Sequence, residues 1–103
     1  MNVKVKLSIE QFKWLLHWVH NFVQQNTAAL NEVQLINLKC FTAKGFKKLI
    51  DLNSEMQLNP TKIKTFAIEF NQFHTVLNCL DSFYDSLDAY TVSIAETMRA
   101  GNS

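Results

Sequence analysis

One row of residues between Asn59 and Gly101 constrains the fold more than any other feature of the sequence. Its members are separated by alternating steps of three and four residues, and all but one are apolar: Ile63, Phe66, Phe70, Phe73, Leu77, Leu80, Tyr84, Leu87, Thr91, Ile94 and Met98. On a helix this spacing places the side chains on a single stripe, which must be buried against other parts of the protein. Asn59 followed by Pro60 is typical of a helix start. The sequence therefore predicts helix over 60–100, as one long helix or as two.

Two helices are the better interpretation of this region. A single helix would be about 60 Å long at 1.5 Å per residue and would overhang a domain of this size. Ser82 can cap a following helix, with Asp85 at the third position after it, and the many Asn, Asp and Ser residues nearby disfavour a helix interior. We expect a break near 81–82, with helices over 60–80 and 83–99.

Two capping boxes mark earlier helix starts. Ser8 is followed at the third position by Gln11, and Asn31 is followed in the same way by Gln34. They predict helices over 9–25 and 32–52. The second of these is apolar on well over half of its circumference, so we expect it to be central and packed on more than one side. Its Gly45 weakens the helix by roughly 1 kcal/mol relative to alanine and indicates a kink or a close helix crossing.

Short alternating patterns predict a small ribbon. Val3, Val5 and Leu7 alternate with lysines, and Met56 and Leu58 alternate with polar residues. Shifting the chain by about 51 residues superimposes the order strand, cap, helix, cap, helix on itself. The predicted fold is mostly all-α, a single domain over 1–103. It is a four-helix bundle of two pseudo-repeated helix pairs, with a two-stranded ribbon of 3–7 and 55–58.

Composition sets limits on the class of protein. A chain of 103 residues with 48% hydrophobic and 18% charged residues is typical of one globular domain, and its net charge of +1 predicts no general attraction to nucleic acid or membranes. No secretory signal and no apolar run of membrane-spanning length is found. Cys40 and Cys79 are interpreted as reduced thiols, although a single bridge between them stays open. We expect a cytoplasmic protein.

Candidate catalytic and metal-binding residues are few. His17 and His20 share one helix face, but no third ligand lies one turn further along that face. Neither cysteine has a histidine at helical spacing, and there is no glycine-rich phosphate loop. The sequence therefore predicts a non-enzymatic protein without metal or cofactor.

Protein–protein interaction is the function that the sequence favours. Trp14 and Trp18 lie beside the core stripe of their helix, where they either wrap a neighbouring helix or form a contact surface. Ile68 is a further apolar position outside the core stripe of the predicted third helix. Such a surplus is most often covered by a second copy of the chain, so we expect a homodimer, with another protein partner or a monomer as alternatives.

The competing hypothesis is weak association with nucleic acid. A run of positive charge without an acidic residue inside it lies in the second predicted helix: Lys39, Lys44, Lys47 and Lys48. Arginine, the usual reader of base edges, occurs once in the chain. Such lysines more often form a solubilising face that also favours the C-terminal part of a helix, so this hypothesis ranks second.

Overall fold

A computed structural model describes residues 1–101, which form a mostly helical domain with one small antiparallel sheet. Two short 3₁₀ turns, Thr27–Ala29 and Tyr84–Ser86, join helices. The remaining elements follow in chain order: β1 (Asn2–Ser8), α1 (Ile9–Asn26), α2 (Glu32–Asp51), α3 (Asn53–Leu58), β2 (Ile63–Glu69), α4 (Phe70–Ser82) and α5 (Ala89–Gly101).

The helix starts predicted in the first part of the chain are confirmed. The Ser8 hydroxyl accepts a hydrogen bond from the Gln11 N–H (3.0 Å), and the Gln11 side chain accepts one from the Ser8 N–H (2.8 Å). Asn31 and Gln34 form the same reciprocal pair. Each box satisfies two backbone donors that a helix start otherwise leaves without partners, which fixes the beginnings of α1 and α2.

The predicted helix over 60–80 is wrong in its first ten residues. Residues 63–69 form β2, and the helix begins only at Phe70. The apolar spacing of this segment fits a helix, but Phe66 and Ile68 also alternate with Thr65 and Ala67, as in a strand. The strand prevails because it pairs with β1, and Phe66 and Ile68 are then buried at 3% and 4% exposure. Asn59 and Pro60 form a turn before it, closed by the Lys62 N–H donating to the Asn59 carbonyl (3.1 Å).

The predicted ribbon of 3–7 with 55–58 is also wrong. Residues 55–58 belong to the short helix α3, and β1 pairs along its whole length with β2, from Asn2 opposite Glu69 to Ser8 opposite Ile63. The alternation of Met56 and Leu58 is too short to distinguish a strand from one helical turn. With five helices in the described residues, the four-helix bundle and its repeat at a shift of 51 residues are not confirmed.

The predicted interruption between the last two helices is present, but the start of the last helix and its cap are wrong. α4 ends at Ser82, close to the predicted break, whereas α5 begins at Ala89 after the 3₁₀ turn and not at Phe83. Ser82 caps no helix: its hydroxyl donates to the Asn78 carbonyl within α4 (2.8 Å). Asp88 takes the capping role, accepting a hydrogen bond from the Thr91 N–H (2.7 Å).

The order strand, helix, 3₁₀ turn, helix occurs twice along the chain, and we call residues 2–51 the first unit and 63–101 the second unit. Their strands and leading helices correspond at an offset of 61 residues, as from Ser8 to Glu69, and their later helices at 57, as from Asn31 to Asp88. Each of these four residues accepts a hydrogen bond from the N–H three positions on. Val5 pairs directly with its own counterpart, Phe66.

The core lies between one face of the sheet and the surrounding helices. It contains Val5, Leu7, Phe66 and Ile68 from the strands and apolar residues of all the longer helices. α1 and α2 cross closely at Gly45, where a Cβ atom would overlap the side chain of Leu16, itself fully buried. The close crossing predicted at Gly45 is therefore present.

Candidate protein interface

Helix α2 has two apolar faces, and only one of them is covered. Its inner face carries Leu38, Phe41 and Leu49, which are buried against the core. Its outer face carries a row of exposed residues whose spacing alternates between three and four along the whole helix: Val33, Ile36, Cys40, Ala43, Lys47 and Ile50. We call this row the α2 stripe. The prediction that α2 is central and packed on more than one side is confirmed, because α2 packs against both α1 and α4, but its outer face is left uncovered in a single copy of the described chain.

The α2 stripe is exposed to an unusual degree for aliphatic side chains. Val33, Ile36 and Ile50 are 67%, 57% and 75% exposed. Five of the six positions are apolar, and the spacing is that of the contact row in a pair of helices that pack along their length. From Val33 to Ile50 the row is about 25 Å long at 1.5 Å per residue.

Neighbouring helices hold α2 in one orientation, so that the stripe faces outward. On one side the Asn37 amide donates a hydrogen bond to the Thr75 hydroxyl of α4 (3.1 Å). On the other side the Phe46 ring packs edge-on against His17 of α1, with 5.2 Å between the ring centroids. Both flanks of α2 are therefore packed against neighbouring helices, and the stripe faces away from them.

The four lysines of the nucleic-acid hypothesis do not form one face. Lys39 lies on the side of α2 that borders α1, Lys47 lies within the α2 stripe, and Lys44 and Lys48 lie toward β2. All four are exposed. The positive charge therefore surrounds the outer half of α2 instead of forming a single track.

The structure separates the three residues predicted from the sequence as an interface. Trp14 is 44% exposed, and its indole N–H donates to the buried hydroxyl of Thr91 (2.8 Å). Trp18 is half-buried and stacks on Phe22. Ile68 is buried in β2, so the structure does not place it on a surface with the tryptophans, and its placement on a helix is corrected.

The residues considered for catalysis or metal binding remain apart. No group of three or more His, Cys, Asp or Glu side chains within residues 1–101 could hold a metal ion. His17 and His20 are exposed, and the rings of both contact Phe46. Cys40 and Cys79 are free thiols, and burial raises the pKa of Cys79, which makes it a poor nucleophile.

The α2 stripe is the feature that our interpretation of the sequence did not isolate. The three-four spacing of Val33, Ile36, Cys40 and Ala43 can be read from the sequence. The same helix, however, carries a second apolar row through Leu38, and only the fold shows which row faces the core.

Comparisons with known protein families, curated proteins and solved structures find no significant match. Within the described part of the chain, none of the helices has the length and apolar character that crossing a membrane would require.

Proposed function

We propose that this chain acts by binding protein, and first of all itself, through the α2 stripe. The observation that carries the proposal is a row of exposed aliphatic residues with contact-row spacing along an entire helix. Burial of such residues supplies the main favourable free energy of most protein association. We further propose that the protein is non-enzymatic and cytoplasmic. The exposed free thiol of Cys40, at the middle of the stripe, is consistent with a reducing compartment.

The residues of the stripe favour an antiparallel arrangement of two copies. In a parallel pair, Lys47 would face Lys47 of the second copy. In an antiparallel pair centred between Cys40 and Ala43, it faces Ile36 instead, and Val33 faces Ile50. The Lys47 stem can then cover Ile36 while its ammonium stays in water. The small residues Cys40 and Ala43 meet at the centre and allow the two helices to approach closely.

Charge beside the stripe gives the proposed dimer a recognisable dependence on salt. Lys39 and Lys44 flank the row on opposite sides. In the antiparallel arrangement Lys39 approaches Lys39 of the second copy, and Lys44 approaches Lys44 of the second copy. Repulsion between like charges at an exposed contact weakens as salt screens it. We therefore expect the dimer to become tighter between low salt and about 0.5 M salt, whereas binding to an acidic partner would become weaker.

The direct test is the mass of the protein in solution, measured by light scattering after gel filtration over a wide concentration range. The unmodified chain should approach twice its monomer mass of 11.9 kDa as concentration rises. Ile36→Glu should remain a monomer, because the substitution buries a charge at the contact.

Leu58→Glu is the matched control. Leu58 is 86% exposed on α3, outside the stripe, so the same substitution there should leave the dimer intact. Circular dichroism of both variants verifies that each is folded. A monomer at every concentration for the unmodified chain, or equal effects of the two variants, would contradict the proposal.

A further inference from the structure

A second surface lies at the free edge of strand β2. Between this edge and helix α2 runs a groove of about 420 Å³. Residues 65–69 form one wall, and Lys44, Gly45 and Lys48 form the other. The lining also includes Phe12 and Phe66, whose rings are stacked with 4.0 Å between their centroids.

The hydrogen-bonding pattern of the sheet shows which backbone groups face this groove. The Phe70 N–H donates to the Met1 carbonyl (3.0 Å), and the Ile9 N–H donates to the Lys62 carbonyl (3.3 Å), continuing the β1–β2 ladder at its two ends. In an antiparallel pair such bonds alternate along each strand. Even-numbered residues of β2 therefore bond to β1, and Thr65 and Ala67 direct their N–H and C=O groups toward the groove. Within residues 1–101 no hydrogen bond outside the ladder reaches these groups.

The opposite edge of the sheet is covered, which shows that the fold can close such an edge. The end of α5 lies along β1, and a Cβ atom on Gly101 would be 3.3 Å from the outward-facing carbonyl of Lys4. The residue of α2 that corresponds to Gly101 is Lys44, and there the groove separates helix from strand. The two strands thus differ at their outer edges: the edge of β1 is covered by α5, whereas the edge of β2 is not covered by α2.

Charge at the rim indicates the chemistry of the occupant. Lys44 and Lys48 lie one helical turn apart along the wall opposite β2, and both are exposed. No ion pair to either ammonium is found in the described residues. Glu69, at the end of the groove, is already engaged in capping α4 through the Gln72 N–H. The Glu69 carboxylate also attracts the Lys44 ammonium and so partly balances it, whereas no such acidic neighbour is found for Lys48 in the described residues. An incoming chain therefore meets the ammonium groups of Lys44 and Lys48 on one side and free backbone donors and acceptors on the other.

We propose that this groove binds an extended acidic segment of a partner protein, which adds to β2 as a third strand. The backbone of the segment bonds to Thr65 and Ala67, and its carboxylates lie against Lys44 and Lys48. From Thr65 to Glu69 the edge is about 13 Å long at 3.3 Å per residue, enough for a segment of about five residues. Backbone pairing supplies affinity and side-chain chemistry supplies selection, as in other cases of strand addition.

The test uses labelled heptapeptides in which valine alternates with glutamate or with lysine. Fluorescence anisotropy with the full chain should show that the Val/Glu peptide binds at least tenfold more tightly than the Val/Lys peptide. The amides of the Val/Glu peptide form two alternate sets, of which only one faces β2 in the complex. N-methylation of that set should abolish binding because it removes the donors to β2, whereas N-methylation of the other set should not. In NMR spectra the amide signals of Thr65 and Ala67 should shift on binding.

The variant Lys44→Glu/Lys48→Glu changes only exposed side chains and should reverse the preference in favour of the Val/Lys peptide. Lys13→Glu, an exposed lysine on α1, is the matched control and should leave the preference unchanged. Equal binding of both peptides, unmoved Thr65 and Ala67 signals, or a double variant that keeps the original preference would overturn the proposal. Repeating the titration with Ile36→Glu separates this site from the proposed dimer, because peptide binding should persist in that variant.

Discussion

The outer faces of α2 and α5 occupy corresponding positions in the two units but carry different chemistry. The positions of Val33, Ile36 and Cys40 in α2 correspond to those of Tyr90, Ser93 and Thr97 in α5. The inner faces, by contrast, are apolar in both helices, with Leu38 and Phe41 matched by Ala95 and Met98. The fold therefore requires an apolar inner face at this position but not an apolar outer face. The α2 stripe is thus not required by the fold of a single copy, which is consistent with the proposed dimer.

The largest expected effect comes from disrupting the close crossing of α1 and α2 at Gly45 in the first unit. Gly45→Ala improves helix propensity by roughly 1 kcal/mol, but the added methyl group overlaps Leu16, which is fully buried and has little room to move. Overpacking of this kind costs about 1–3 kcal/mol and sometimes more. Because Leu16 has little room to move, we expect a cost near the upper end of this range and therefore a net loss of about 2 kcal/mol in the free energy of unfolding, measured by urea denaturation.

Gly101→Ala provides the comparison in the second unit. Its Cβ atom would be 3.3 Å from a backbone carbonyl at the end of a helix, where small adjustments suffice. We expect a change below about 0.5 kcal/mol, as for most surface substitutions. A Gly45 variant as stable as the unmodified chain would show that the α1–α2 crossing can relax.

The second prediction exchanges the outer faces themselves. Ile36→Ser/Cys40→Thr gives α2 the residues that α5 carries at the corresponding positions. Because both sites are exposed, the stability of the monomer should change by less than about 1 kcal/mol. The dissociation constant of the dimer should rise at least tenfold, which is about 1.4 kcal/mol. Sedimentation velocity measures the association, and an unchanged dimer would place the contact elsewhere.

The third prediction concerns the contact that joins the two units through Trp14. The indole N–H donates to the Thr91 hydroxyl, and the Tyr90 ring packs edge-on against Trp14, with 5.3 Å between centroids. Trp14→Phe removes the hydrogen bond and should lower the free energy of unfolding by about 1 kcal/mol. Thermal unfolding measures this loss, and Thr91→Val in the Trp14→Phe background should add little. A variant that changes the oligomeric state but not the stability would support Trp14 as an interface residue instead.

The smallest expected effect is a difference between the two units in how their helix caps respond to pH. The first unit uses the neutral caps Ser8 and Asn31, and the second uses the carboxylates Glu69 and Asp88. The hydrogen bond from the Gln72 N–H holds the pKa of Glu69 below its ordinary value of 4.5. The hydrogen bond from the Thr91 N–H does the same for the pKa of Asp88, ordinarily 3.8.

Because these two pKa values are lowered by folding, the stabilisation is complete above the ordinary values and is lost as pH falls through the values in the folded protein. Amide hydrogen exchange, corrected for its intrinsic pH dependence, should reveal faster opening of the first turns of α4 and α5 near pH 3 than near pH 6. The first turns of α1 and α2 should change less. With Glu69→Gln/Asp88→Asn the difference between the units should disappear, and an equal response of all four helices would contradict this assignment.

The sequence predicts those features that depend on neighbouring residues. Prediction fails for segments whose secondary structure is determined by pairing with a distant part of the chain. The caps at Ser8 and Asn31 depend on local residues, and so does the end of helix α4 at Ser82. Residues 63–69 satisfy both helical and strand spacing, and only their pairing with β1, about 60 residues earlier, selects the strand. The site is subject to the same limit. Helix α2 has two apolar rows in the sequence, and the choice of which row to bury depends on how α1 and α4 meet it.

The pairing of Val5 with Phe66 also determines the order in which the protein can form during synthesis. β1 leaves the ribosome well before β2, and at about 5–20 residues per second it waits several seconds for its partner. α1 and α2 can cross at Gly45 during that interval, but β1 then has two unpaired edges. α5, which lies along β1, emerges later still. Formation of the sheet therefore closes the fold instead of initiating it, and the lysines that alternate along β1 help to keep the waiting strand from pairing with other chains.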